Sequence, residues 1–175
     1  MKRTVTAITL MVALAACETS TSGGSVSKAE TPTDLASSFI NACLKTQPSF
    51  DGAKDIFASQ GIKVINVRNA TSFPTGTFAT VEEVFPPAKG KVCNLSFKGN
   101  DVVGASQSVQ SYLESNSFPL KGAIQTNVPL DDQGTTASLR GIYRTSDGRE
   151  LEVAVFTGKL PRYGKITTMG VIRKD

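Results

Sequence analysis

The chain has 175 residues, of which 39% are hydrophobic and 19% are charged, a composition that suits one globular domain. It contains three cysteines but no histidine and no tryptophan, and its formal net charge is +4. The absence of histidine excludes Ser-His-Asp and Cys-His catalysis and every histidine-ligated zinc site.

The first 16 residues have the charge and hydropathy pattern of a secretory signal peptide. Lys2 and Arg3 form a short basic segment, and an apolar run of about ten residues from Val5 to Leu14 follows. This run is too short for a transmembrane helix, which needs about 20 apolar residues, and no later stretch of the sequence is comparable. We therefore predict that residues 1–16 are a signal peptide that is removed.

Directly after this run, the sequence Leu14-Ala15-Ala16-Cys17 resembles the lipobox of bacterial lipoproteins. The resemblance implies that Cys17 carries a diacylglyceryl group on its sulfur, becomes the first mature residue and receives a further acyl chain such as palmitate on its amine. Each buried CH₂ of these chains contributes about 0.8 kcal/mol to membrane attachment. By analogy with enteric lipoproteins, in which Asp at the next position marks inner-membrane retention, the Glu found there implies the outer membrane. The alternative is an ordinary secretory signal with an incidental cysteine.

Removal of the signal peptide takes away Lys2 and Arg3 and no acidic residue, so the formal charge of the mature chain is lower than +4 by two. No basic block interleaved with aromatic residues is present. The composition therefore does not indicate a nucleic-acid partner.

Residues 17–30 are predicted to be a lipidated cysteine followed by a flexible tether. The sequence ETSTSGGSVSKAE is rich in Ser, Thr and Gly and has almost no apolar residue, so it cannot bury enough surface to fold. A flexible segment of about 13 residues has an r.m.s. length of roughly 20 Å, which keeps the domain close to the membrane. Residues 31–175 are predicted to form a single domain.

Three helices are predicted in this domain, at residues 32–46, 50–60 and 102–116. Thr31 caps the first helix and Ser49 caps the second, which ends at Gly61. The first helix has apolar residues at every fourth position, and Cys43 lies on this buried stripe.

The remaining elements are predicted strands, at residues 62–67, 77–85, 91–98, 137–145, 149–157 and 165–173. In the third of them, Cys93, Leu95 and Phe97 alternate with polar residues, which places Cys93 on the buried face. The order of elements predicts an α+β fold, with a largely antiparallel sheet, about three helices on one face and one disulfide.

Side-chain parity decides the register of the hairpin whose turn covers residues 146–148. A two-residue turn would place Arg144 opposite Leu151, whereas a three-residue turn places Tyr143 opposite Leu151 and pairs Arg144 with a glutamate. The second register separates the apolar face from the charged face. We therefore predict it, with Gly148 in the left-handed conformation.

With Cys17 used for lipid, Cys43 and Cys93 remain as an even pair in an oxidising compartment. The predicted helix and strand both direct these sulfurs inwards, which favours a Cys43–Cys93 disulfide. Such a bridge would close a loop of about 50 residues and contribute roughly 4 kcal/mol. Two separate buried thiols are the alternative.

The segment Gly158–Lys165 is predicted to be a long hairpin loop with a cationic tip. It resembles a phosphate-binding loop only superficially, since five residues rather than four separate its glycines and Ile166 follows the lysine. A cationic tip would suit an anionic glycan, a phospholipid or an acidic protein, and a solvated loop without a partner is the alternative. The candidate partner-binding residues are Lys159, Arg162, Tyr163 and Lys165.

Carboxylates are the remaining acid and base groups in a chain without histidine. The adjacent pairs Glu82-Glu83 and Asp131-Asp132 do not indicate two carboxyl groups that face each other across a cleft, as a glycosidase requires. No calcium loop, other metal motif or cofactor motif is present, so we expect no cofactor besides the covalent lipid.

In its lipobox and general architecture the chain is similar to small uncharacterised lipoproteins of Gram-negative envelopes. We predict a lipoprotein anchored to the periplasmic face of the outer membrane, acting as a non-catalytic binding or accessory module with an envelope protein or glycan as its partner. The alternatives are a carboxylate-based periplasmic hydrolase and an inhibitor of a periplasmic enzyme.

Overall fold

The computed structural model describes residues 31–67, 74–83, 89–129, 135–145, 147–160 and 164–174. The predicted signal peptide, Cys17 and the tether lie outside these residues, and so do the pair Asp131-Asp132 and the loop residues Arg162 and Tyr163. Within the described part, the chain forms three α-helices, a π-helical turn and seven strands.

The helices are α1 (Pro32–Phe39), α2 (Ala53–Ser59) and α3 (Val102–Ser115). α1 runs directly into the π-helical turn Ile40–Leu44. Together the two elements cover most of the predicted first helix. Thr31 caps α1 as predicted, since its hydroxyl accepts the Asp34 N–H at 3.2 Å and the Asp34 carboxylate accepts the Thr31 N–H at 3.2 Å. This reciprocal capping box satisfies two backbone donors at the start of the domain.

The start of the second helix differs from the prediction, because Ser49 does not cap it. Phe50 has a positive φ of 59° and Gly52 has a φ of 78°, and α2 begins only at Ala53. A left-handed conformation costs a non-glycine residue about 1–2 kcal/mol. Phe50 is 3% exposed, and burial of a phenylalanine side chain, worth about 1.5–3 kcal/mol, offsets that cost.

The strands are β1 (Lys63–Val64), β2 (Phe78–Glu83), β3 (Gly90–Lys98), β4 (Val128–Pro129), β5 (Thr136–Arg144), β6 (Glu150–Leu160) and β7 (Gly164–Lys174). They form one sheet in the order β1-β2-β3-β7-β6-β5-β4. Among the described strands, β1 and β2 pair in parallel and every other pair is antiparallel. The predicted α+β fold with a largely antiparallel sheet is confirmed.

The predicted register of the β5–β6 hairpin is also confirmed. Tyr143 pairs with Leu151, and Arg144 pairs with Glu150. Gly148 has a φ of 84°, in the left-handed region that a three-residue turn requires.

The helices cover one face of the sheet and enclose the core with it. Cys43 in the π-helical turn and Cys93 in β3 form a disulfide with a Cα–Cα distance of 5.6 Å, and both residues are 0% exposed. The described core residues all lie between Leu35 and Val171. The predicted disulfide therefore joins the helical layer to the sheet inside this core.

The β6–β7 hairpin corrects the predicted long loop at residues 158–165. Gly158 pairs with Ile166, Lys159 pairs with Lys165, and the strand ladder continues to Leu160. Each added pair satisfies backbone donors and acceptors that a loop would leave to water. The described residues of this segment, 158–160 and 164–165, are therefore strand rather than loop.

Candidate functional site

The predicted partner-binding residues that the structure describes are Lys159 and Lys165, and they lie directly opposite each other on β6 and β7. Both side chains are exposed. Like charges directly opposite each other on a sheet are destabilising. This pair therefore does not stabilise the hairpin, and its two exposed ammonium groups lie close together.

These two lysines belong to a part of the hairpin that projects beyond its neighbours. On one side β3 ends with Lys98 opposite Ile166, and on the other side β5 begins with Thr136 opposite Thr157. We call the projecting residues, 158–160 and 164–165, the hairpin arm. Within the described residues no further strand flanks the hairpin arm, so its edges can contact a partner.

A second feature is a cleft of about 530 Å³ between the start of α2 and the ends of β2 and β3. We call it the carboxylate cleft, because its lining includes Asp51, Asp55, Glu82 and Glu83. Two segments of the chain thus bring four acidic residues together. The adjacent glutamates are visible in the sequence, but their proximity to the two aspartates depends on the fold.

The carboxylates of this cleft differ in their environment. Asp51 and Asp55 are exposed, and Lys91 lies 3.9 Å from Glu83 while it also donates to the carbonyl oxygen of Ser49 at 3.4 Å. One oxygen of Glu82, Oε2, is buried and has no hydrogen-bond partner among the described residues. Glu82 is therefore the carboxylate whose surroundings differ most from water.

A third feature is an apolar groove of about 520 Å³ beyond the end of α3. Phe118, Pro119 and Leu151 form its apolar lining, and Gln47 and Arg144 add polar groups. The Oε1 atom of Gln47 is buried without a hydrogen-bond partner in the described part of the chain. The groove can accept an apolar side chain.

Behind the groove, aromatic rings fix the position of Phe118. Its ring centroid lies 6.0 Å from that of Tyr143 in an edge-on arrangement and 6.0 Å from that of Tyr112. Burial raises the pKa of Tyr143, and the charge of Glu114 raises it further. Both effects keep the Tyr143 hydroxyl protonated.

The opposite face of the sheet carries an ionic cluster around Glu152. Its carboxylate accepts from Arg140 Nε at 2.7 Å and from Lys174 Nζ at 2.7 Å. Burial on its own would raise the pKa of Glu152, but the hydrogen bonds from Lys174 and Arg140 outweigh it and hold this pKa below its ordinary value. The cluster links β5, β6 and β7, and its carboxylate stays ionised.

The described residues lack two further features. No group of three or more Cys, Asp or Glu side chains is placed to hold a metal ion. No described helix is long and apolar enough to cross a membrane.

Comparison with known proteins does not assign this chain to a family. No family model matches it, and no match was found among the curated proteins or the solved structures. Its function therefore has to be inferred from its own residues.

Proposed function

We propose that this chain is a lipid-anchored protein of the bacterial envelope, on the periplasmic face of the outer membrane, whose domain binds an envelope protein or glycan without catalysis. The observation that carries the proposal is the Cys43–Cys93 disulfide. It takes two of the three cysteines and leaves Cys17 alone in its lipobox sequence. The odd cysteine is thereby available for lipid.

The disulfide also supports an exported chain. Stable disulfides form in the periplasm and outside the cell, and they are rare in the cytosol of mesophiles. Both sulfur-bearing residues are 0% exposed, so the bridge is shielded from thiol exchange. A signal peptide at residues 1–16 would deliver the chain to such a compartment.

The lipid anchor is tested by metabolic labelling with a palmitate analogue in the cells that produce the chain. Labelling is expected for the native chain and is expected to disappear in Cys17→Ser. The Cys43→Ala/Cys93→Ala variant, which keeps Cys17, is the matched control and should stay labelled. Persistent labelling of Cys17→Ser would refute the anchor, and a shift of Glu18→Asp towards the inner membrane would support outer-membrane sorting.

A binding role is favoured over catalysis by the state of the carboxylates. A carboxylate hydrolase needs a second carboxyl group placed across a water-excluding cleft from the first. In the carboxylate cleft, Asp51 and Asp55 are exposed and the Glu83 side chain is 63% exposed. Three of the four carboxylates therefore lie in water.

Binding is tested by site-specific photocrosslinking in intact cells. A crosslinker at position 118 in the apolar groove should give a discrete adduct with an envelope protein or glycan. The same crosslinker at the exposed position 45, outside the groove, is the control. Equal adducts from both positions would show nonspecific proximity and contradict the proposal.

A second candidate, a carboxylate-based hydrolase, is favoured by one observation, the buried and unpartnered Oε2 atom of Glu82. Purified protein would be assayed on peptidoglycan fragments and on esters. Turnover that Glu82→Gln abolishes and the neighbouring control Glu83→Gln preserves would replace the binding proposal with this one. Absence of turnover in the native chain would eliminate the hydrolase.

A further inference from the structure

The end of the sheet that carries the hairpin arm also carries the point where the N-terminal segment joins the domain. Pro32, at the start of α1, contacts the first turn of α3, where a Cβ atom built on Gly104 would lie 4.0 Å from the Pro32 Cβ atom. α3 begins three residues after Gly99, whose N–H donates to the carbonyl oxygen of Lys165 at 3.1 Å. Thr31 and the hairpin arm therefore lie at one end of the molecule.

Three lysines cluster at this end, Lys98, Lys159 and Lys165, and we call them the basic end. Lys159 lies opposite Lys165 on one face of the sheet. Lys98 lies opposite Ile166, the next residue along β7, so its side chain projects from the other face at the same end of the sheet. Since β3, β7 and β6 are adjacent strands with a spacing of about 4.8 Å, the three Cα atoms fall within roughly 12 Å of one another. All three side chains are exposed, and none forms an ion pair with another described residue.

The acidic residues nearby do not cancel this charge. Asp34 and Asp101 lie at the starts of α1 and α3, where the positive end of the helix dipole offsets a carboxylate. The Asp34 carboxylate is also engaged in the capping box with Thr31. Among the described residues at this end, the three exposed lysines therefore outnumber the two acidic groups.

Cations at the other end of the same strands are engaged within the protein. Lys91 contacts Glu83 and the carbonyl oxygen of Ser49. The Arg173 guanidinium donates to the carbonyl oxygen of Pro48 at 2.9 Å, and this residue is 8% exposed. An external anion can therefore contact the exposed lysines at the basic end, whereas Lys91 and Arg173 at the far end already contact groups of the protein.

We propose that the basic end docks on the anionic phospholipid headgroups of the membrane that holds the lipid anchor. This inference rests on the proposed function, in which Cys17 is lipidated. About 14 residues separate Cys17 from Thr31, and a flexible segment of that length has an r.m.s. span of roughly 20 Å. The end of the domain that is joined to the tether is the end nearest the membrane, and a flexible tether allows its lysines to come within a Debye length, about 8–10 Å, of the headgroups.

The test uses the chain from position 17 onward with Cys17→Ser, so that neither lipid nor signal peptide contributes to binding. The whole described core lies within this chain. Co-sedimentation is measured with phosphatidylcholine vesicles that contain about 30% phosphatidylglycerol and with pure phosphatidylcholine vesicles. We expect binding only to the anionic vesicles, and we expect about 0.5 M salt to weaken it strongly, because the Debye length is then below about 5 Å.

Removal of two lysines identifies the surface. Each lysine at an anionic bilayer contributes about a 5-fold factor in binding, so Lys159→Gln/Lys165→Gln should weaken it about 30-fold. Lys45→Gln/Lys89→Gln removes the same charge from two other exposed positions and should change binding less than about 3-fold. Equal losses in the two variants, or equal binding to both kinds of vesicle, would overturn the inference.

Binding to an acidic polysaccharide without binding to anionic vesicles would also overturn it. The labelling of Cys17 is measured separately and does not enter this test. Failure of vesicle binding with intact labelling would refute the docking alone, whereas vesicle binding without labelling would refute the anchor alone.

Discussion

The contact between Gly141 and Tyr143 in β5 provides the sharpest test of how this core is packed. A Cβ atom added at Gly141 would lie 2.7 Å from Cε2, 2.8 Å from the hydroxyl oxygen and 3.0 Å from Cζ of the Tyr143 ring. Favourable separations between nonbonded carbon atoms are about 3.5–4.0 Å. Tyr143 is 2% exposed and packs edge-on against Phe118, so its ring cannot move aside without opening the core.

We therefore expect Gly141→Ala to destabilise the protein. Overpacking of a filled core costs about 1–3 kcal/mol, while alanine gains about 0.4–1 kcal/mol by restricting the unfolded chain. The net effect is a loss of about 1–2 kcal/mol. Gly158→Ala in β6 is the matched control, because its added Cβ meets only the Thr135 hydroxyl at 3.9 Å, and it should be neutral or stabilising.

The measurement is urea unfolding of the oxidised protein, followed by circular dichroism. The sign of the change decides the matter, since a mobile ring would leave only the entropic gain and make Gly141→Ala stabilising. In a Tyr143→Leu background the cost of the alanine should largely disappear, giving a coupling energy of about 1 kcal/mol or more. A stabilising Gly141→Ala, or the same cost in both backgrounds, would refute the reasoning.

Three further predictions concern the disulfide, a buried hydroxyl and the ionic cluster. Cys43→Ala/Cys93→Ala should lower the free energy of unfolding by about 4 kcal/mol, because the bridge spans 50 residues, and a loss below about 1 kcal/mol in urea unfolding would contradict this. Tyr143→Phe removes a buried hydroxyl without a partner among the described residues, so it should raise the free energy of unfolding by about 1 kcal/mol. The pKa of Tyr143 in the folded state is raised above its ordinary value of 10.0. In alkaline unfolding scans the native chain should therefore lose stability above pH 10, and the variant should lose less. The pKa of Glu152 in the folded state is lowered, so its contribution to the free energy of unfolding is present above the ordinary pKa of 4.5 and is lost as the pH falls below it. In Glu152→Gln the thermal unfolding temperature should therefore decrease less than in the native chain between about pH 6 and pH 3. The same decrease in both proteins would exclude this role.

Patterns that are local in the sequence predicted the fold well. The register of the β5–β6 hairpin follows from side-chain parity over a few residues, and Tyr143 does pair with Leu151. The disulfide follows from two independent periodicities, one that places Cys43 on a buried helical stripe and one that places Cys93 on a buried strand face. In each case the deciding patterns are local, lying within single elements or one hairpin.

Features set by contacts between distant segments could not be predicted in this way. The late start of α2 depends on the burial of Phe50. The turn before it is held by Arg173, which lies 125 positions from its acceptor Pro48. The carboxylate cleft likewise combines acidic residues from the start of α2 with residues of β2, and no local pattern reports that proximity.

The two depressions in the surface and the basic end lie at opposite ends of the strands. β3 runs from Gly90 to Lys98, and β5 runs in the opposite direction in the same sheet, from Thr136 to Arg144. Lys91 lines the carboxylate cleft and Arg144 lines the apolar groove. Lys98, by contrast, belongs to the basic end. At about 3.3 Å per residue, the seven residue steps from Lys91 to Lys98 along β3 separate these ends by roughly 23 Å. A domain docked through its basic lysines would therefore hold the cleft and the groove away from the bilayer, where a soluble envelope partner can reach them.

The membrane-facing surface and the partner-binding surface can then be altered independently. Lys159→Gln/Lys165→Gln should therefore leave photocrosslinking from position 118 unchanged. A loss of that adduct would contradict this division of the molecule.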